Sequence, residues 1–178
     1  MPEQYDVRPA TPDDAEDYVD CHVDCLAETY VEIMPPAFAE LHRREAAALV
    51  DRTRQAWQAG TDQTSSWLAR DATGEVVGVV RSGWGQQSWE RELGAPTSSA
   101  PFQLHHLYTR QRTHGTGLGR QLLEIAVGAE HTYLWILHGN ARADRFYRRQ
   151  GFGPDGGEMT CGASWFHRTM YRLVRPAP

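Results

Sequence analysis

The chain has 178 residues, 40% of them hydrophobic and 23% charged, with a net charge of −5, which suits one domain over residues 1–178 with a sizeable core. No apolar stretch approaches the roughly 20 residues of a membrane span, and the acidic, polar start Met1-Pro2-Glu3-Gln4-Tyr5-Asp6 is unlike a secretion signal, so a cytoplasmic address is expected and a membrane partner is not. The acidic balance argues against a nucleic-acid partner and fits an amine-bearing small molecule; all 18 basic side chains are arginine, so no lysine can form a Schiff base or serve as a phosphate-loop cation.

Tyr5-Asp6-Val7-Arg8 alternates and stops at Pro9, which predicts a first strand. Thr11-Pro12-Asp13-Asp14 is a helix start, with Thr11 as cap, Pro12 at the first helical position and acids at the positive end. Ala15, Val19, His22, Leu26 and Tyr30 recur at helical spacing until Pro35-Pro36. A second helix runs through Phe38, Leu41, Ala48, Leu49 and Trp57 and ends near Gly60. Ser66 to Arg70 and Glu75 to Val80 flank Asp71-Ala72-Thr73-Gly74 and form a hairpin. Gly83 to Pro101 reads as a long loop, of the kind that often serves as a lid. Phe102 to Thr109 is a strand, on which His105 and His106 are expected to face opposite ways.

A helix from about Gly117 to Ala129, a buried-type strand Tyr133 to Leu137 and a short helix from Ala141 to Gln150, closed by Gly151, follow. Strands are expected around Glu158 to Cys161 and Phe166 to Val174. The order of strands and helices predicts a mixed α/β domain. The three cysteines, Cys21, Cys25 and Cys161, are odd in number and read as reduced, buried thiols. Cys21 and Cys25, with His22 between them, fall short of a ligand set, and no metal is expected.

Chemistry concentrates in Arg112-Thr113-His114-Gly115-Thr116-Gly117-Leu118-Gly119-Arg120, between a strand and a helix. Glycine lets the backbone approach a ligand closely, and the first turn of a helix offers unpaired N–H groups and a positive dipole end. Together they suit a pyrophosphate, with Arg112 and Arg120 able to add charge-assisted bonds. The glycine spacing is not that of a dinucleotide fingerprint, and a P-loop needs the lysine this chain lacks. Further on, Asn140-Ala141-Arg142-Ala143-Asp144-Arg145-Phe146-Tyr147 precedes Gly151-Phe152.

With both motifs present the chain resembles the GNAT superfamily of N-acetyltransferases. Arg112-x-x-Gly115-x-Gly117 matches the family's phosphate loop, and Asn140, Ala143, Phe146, Tyr147, Gly151 and Phe152 match its second motif; the matching stretch is about residues 103–152. The resemblance implies a GNAT-like fold whose fourth and fifth strands splay apart around a pantetheine arm. It implies acetyl-coenzyme A as cosubstrate, held by Leu107, Tyr108 and Thr109, by Arg112, His114, Gly115, Thr116, Gly117, Gly119 and Arg120, and by Asn140, Ala143, Phe146 and Tyr147. Asn140 is equally a sound helix cap.

The resemblance also makes Tyr147 the acid that protonates the departing sulfur, a role a phenol can fill because it stays protonated at pH 7. Where many members carry a base glutamate this chain has Gln103, which could hold a water; His105 is the alternative base, and loss of the amine proton to solvent is a third route. Glu28, Tyr30 and Glu32 sit where the family's acceptor site opens, and Trp84 and His167, with Trp89 and Trp165, are candidates for the same cleft. The bulky tryptophans suggest a closed pocket for a small-molecule amine such as an antibiotic, polyamine or amino acid. A peptide acceptor, or a non-catalytic acetyl-coenzyme A sensor, are the competing expectations. A homodimer is compatible with the family.

Overall fold

The computed structural model describes residues 5–60 and 63–178; the polar start at Met1 to Gln4 lies outside them. Strand β1 (Asp6–Pro9) leads through a single 3-10 turn into α1 (Ala15–Tyr30). At this entry Asp14, more than Thr11, does the capping: its carboxylate accepts the Thr11 N–H at 2.9 Å and the Thr11 hydroxyl at 2.7 Å. Helix α2 (Ala37–Ala59) begins just past Pro35-Pro36 and ends at Gly60, as the proline and glycine signals predict.

The hairpin is β2 (Thr64–Arg70) and β3 (Val76–Trp84). The segment read as a loop contains a short helix, α3 (Ser88–Glu92). Strand β4 (Phe102–Thr109), helix α4 (Leu118–Val127), strand β5 (Thr132–Leu137) and helix α5 (Ala141–Arg149) follow the expected order. Strand β6 (Gly153–Thr160) starts earlier than expected, and β7 (Thr169–Arg175) starts later. The delay has a backbone cause: Phe166 and His167 both take positive φ, near 52° and 51°, which ends any extended run there.

Among the described residues the strands form one sheet in the order β1-β2-β3-β4-β5-β7-β6. Helices α1 and α2 cover one face and α4 and α5 the other. Alternation divides the strand residues accordingly: Leu68 and Val79 pack against Tyr18 and Cys25 of α1, while Ala69 and Val80 pack with Leu118 and Leu122 of α4. All three cysteines are buried with free thiols, and no described helix is long and apolar enough to cross a membrane.

The central feature is the β4–β5 contact. These strands run parallel but pair only at Phe102↔Thr132 and Gln103↔Tyr133. Beyond that point they part, and the edge of β4 from Leu104 onward has no strand beside it on that side. The mixed α/β fold with splayed central strands is therefore the one the sequence implied.

Candidate active site

Two cavities flank β4. The first, of about 440 Å³, fills the splay between β4 and β5 and continues to the turn before α4; Leu104, Thr109, Gly115, Gly117, Asn140 and Tyr147 are among its walls. The second, of about 760 Å³, lies on the α1–α2 side under α3, with Arg81, Trp89, Glu92, Gln103 and Trp165 in its lining. Tyr30, His105, His106, Tyr108 and Trp135 line both, so the two spaces share one wall.

The turn feeding the first cavity is shaped by glycine. Gly115 and Gly117 take φ of 85° and 95°, which a side chain would strain. Among the described residues the N–H groups of Gly115, Gly117, Gly119 and Arg120 have no hydrogen-bond acceptor. They gather at the start of α4, where the helix dipole favours negative charge. A diphosphate fits that cradle, and the open edge of β4 fits an amide-bearing chain leading from it.

Asn140 is half cap and half wall: its Oδ1 accepts the Ala143 N–H at 3.2 Å while the residue lines the slot. Tyr147 is buried on α5 between Phe146 and Phe152, and its hydroxyl makes no hydrogen bond among the described residues. Burial, assisted by Tyr30 and opposed by Arg142, pushes its pKa above the ordinary phenol value. It is thus a protonated donor facing the slot.

Leu107, Tyr108, Thr109, His114, Gly115, Gly117, Gly119, Arg120, Ala143 and Phe146 also line the first cavity. Arg112 and Thr116 do not. The Arg112 guanidinium is held by Asp71 at 2.8 Å and Glu75 at 2.9 Å, and the Thr116 hydroxyl bonds to the Thr113 carbonyl and accepts from Tyr5. Arg142, outside the expected set, lines the slot instead, with Nη1 2.7 Å from Nδ1 of His114.

Of the residues expected to contact an acceptor, Tyr30 lines the second cavity, whereas Glu28, Glu32, Trp84 and His167 are absent from its walls. Glu28 is occupied elsewhere: it takes Arg110 Nε at 2.8 Å and the Gln111 N–H at 2.6 Å, tying α1 to the end of β4. Trp84 is exposed with its ring edge on Phe102. Trp89 and Trp165 do form walls.

The expectation that His105 and His106 face opposite ways is corrected by a bulge. Opposite β3, Arg81 pairs with His106 and Ser82 with Leu104, so His105 is the extra residue. The inserted residue breaks the two-residue alternation, and both rings reach the shared wall. The His105 ring lies over Gly83, whose missing side chain makes the room: a Cβ there would sit 3.3 Å from Cε1. His106 stacks on His22, centroids 4.4 Å apart, and its Nε2 lies 2.8 Å from the Tyr18 hydroxyl. Burial lowers the pKa of both: to about 4 for His22, with His42 adding, and well below the usual value for His106, with His22, Arg81 and His105 adding.

Beneath the second cavity lies a carboxylate the sequence hid. Glu90 of α3 is fully buried and accepts from Trp135 Nε1 at 2.7 Å, from the Gln87 N–H at 2.8 Å and from the Tyr133 hydroxyl at 3.2 Å. The same Tyr133 hydroxyl reaches Gln103 Oε1 at 3.1 Å. Gln103 is therefore fixed in a buried network, 1% exposed.

A mixed sheet opened between its central strands, with an amide-lined turn at one end of the gap, is the architecture of an acyl-coenzyme A transferase. The particular family follows from the sequence itself: the model of the acetyltransferase (GNAT) domain matches residues 62–154, and the chain belongs to that family. Among solved structures, the PaiA N-acetyltransferase of Thermoplasma acidophilum, determined in complex with coenzyme A, superposes with a TM-score of 0.67 at 15% identity, over 97% of this chain and 99% of that one. A Corynebacterium glutamicum protein described as histone acetyltransferase HPA2 and related acetyltransferase gives a TM-score of 0.63 at 25% identity, over 98% and 97%. A spermidine N-acetyltransferase chimera from Vibrio cholerae and hSSAT gives 0.64 at 14%, over 97% and 95%. A comparison with curated protein sequences finds no match.

Proposed function

We propose that this protein transfers the acetyl group of acetyl-coenzyme A to the primary amine of a small molecule, by direct attack with both substrates bound. The observation that carries the reading is the shared wall. A slot suited to a phosphate-bearing thioester and a separate aromatic-walled cavity meet across β4, Trp135 and Tyr30. An amine entering from the second cavity can reach a carbonyl carbon held in the first.

The amides at the start of α4 would hold the diphosphate, and the free edge of β4 would bond the pantetheine arm and the thioester oxygen. Tyr147 would give its proton to the leaving sulfur. Gln103, committed to Tyr133, serves better as a fixed polar wall than as a proton acceptor. The walls of the acceptor cavity are aromatic, with α3 closing one side, which favours a small molecule over a peptide lying in an open groove.

The test is a screen of primary amines, including spermidine, 2-phenylethylamine and free amino acids, that follows thiol release from acetyl-coenzyme A. Amine-dependent release supports the reading. Tight coenzyme A binding with no release for any amine would leave a binding protein rather than an enzyme.

A further inference from the structure

The Tyr18 hydroxyl has one proton and two hydrogen-bond partners. It lies 3.0 Å from the Val80 carbonyl oxygen, which can only accept, and 2.8 Å from Nε2 of His106. With the proton donated to the carbonyl, the tyrosine oxygen is left to accept from the ring. That requires Nε2 of His106 to carry hydrogen. In the neutral ring the lone pair then sits on Nδ1. This nitrogen makes no hydrogen bond among the described residues, and it is not walled off from the two cavities. The neighbouring His105, in contrast, has its Nε2 fully buried.

We propose that His106 is the general base that takes the proton from the acceptor ammonium, with Tyr18 as the positioning residue that fixes its tautomer. The role rests on the acetyltransferase reading. In the step, an N–H bond of the ammonium breaks and the proton joins Nδ1. The freed amine lone pair forms the C–N bond, the C–S bond breaks, and sulfur takes the Tyr147 proton. The second amine proton returns to the Tyr147 oxygen, and His106 releases its own proton to solvent, the one proton the overall reaction produces.

Burial does not defeat this base. The environment that lowers the His106 pKa also disfavours a charged ammonium beside it, so donor and acceptor shift in the same direction. The titratable and charged groups facing His106 are Tyr18 and His22 from α1, Arg81 from β3, and His105 and Tyr108 from its own strand.

The experiment compares wild type with His106→Ala, using acetyl-coenzyme A and the best amine of the screen, from pH 7 to 9.5. At pH 7 the variant should release thiol about 10²-fold more slowly, with unchanged coenzyme A affinity by titration. The gap should narrow at high pH, where bulk water has already deprotonated part of a primary amine with a pKa of about 10. A gap constant across the range, or no gap, overturns the role while leaving the enzyme reading intact. A wild type that releases no thiol with any amine overturns both. Independently of turnover, ¹⁵N spectra of the wild type should show His106 as the Nε2–H tautomer, and Tyr18→Phe should mix the two forms; an Nδ1–H wild type overturns the proposal.

Discussion

The Tyr147 hydroxyl, buried in the slot and bonded to nothing described, has no structural partner to lose. Tyr147→Phe should therefore cut thiol release about 10²-fold while the chain folds normally and titrates coenzyme A with near wild-type affinity. Asp14 is the opposite case. It accepts from Arg8 at 2.6 Å and from Arg70 at 3.2 Å besides Thr11, and its side chain is 6% exposed. Its pKa lies well below the carboxylate range, first because of Arg8. A carboxylate lowered by folding adds stability above its unfolded pKa, near 3.9, and loses it as pH falls toward the folded value. Asp14→Ala should cost about 3 kcal/mol in urea unfolding at pH 7, and the difference from wild type should shrink below about pH 4. Tyr147, Asn140 and the glycines were legible in the sequence because motif spacing ties them to backbone geometry. Arg112 was not, because its carboxylate partners Asp71 and Glu75 lie on a hairpin some forty positions away in the chain, a pairing only the fold creates.

At the scale of elements, the Asn140 cap, the Gly60 stop and the proline break read correctly because they are local. The bulge at His105 did not, because it exists only in the register between β3 and β4; a sequence pattern assumes strict alternation and sets the two rings on opposite faces. Helix α3 was hidden in a stretch of Gly, Ser and Gln because its anchor is tertiary. Glu90 holds it to β5, and Arg172 bonds the carbonyls of Pro96 and Thr97 behind it. Glu90→Ala would leave the Trp135 Nε1–H and the Gln87 N–H without their acceptor, while the Tyr133 hydroxyl would keep Gln103. The expected cost is about 2–3 kcal/mol by urea titration. Since α3 lines the second cavity and not the first, on the proposed reading the KM for the amine should rise more than the affinity for coenzyme A falls.

Over the whole molecule, the two halves of the sheet meet where β4 and β5 pair at Phe102 and Gln103 and nowhere further along. A ligand in the splay would supply the missing hydrogen bonds and tie the halves together. Saturating coenzyme A, at 100 times its Kd, should add about 2.7 kcal/mol of stability, seen as a rise in Tm. Hydrogen exchange should slow most at the backbone amides of residues 104–109 and at those of Gly115 and Gly117. Unchanged exchange there, with protection elsewhere, would place the cofactor outside the splay.

The interior location of every thiol has a practical corollary. Cys21, Cys25 and Cys161 are each no more than 4% exposed, and burial also pushes the Cys161 thiol up to about 11. A chromogenic disulfide reagent added during turnover should therefore colour with released coenzyme A far faster than with the buried thiols of intact protein. Any extra signal, rising toward three equivalents per chain, would mark molecules that have come apart, giving the same cuvette a readout of both catalysis and denaturation.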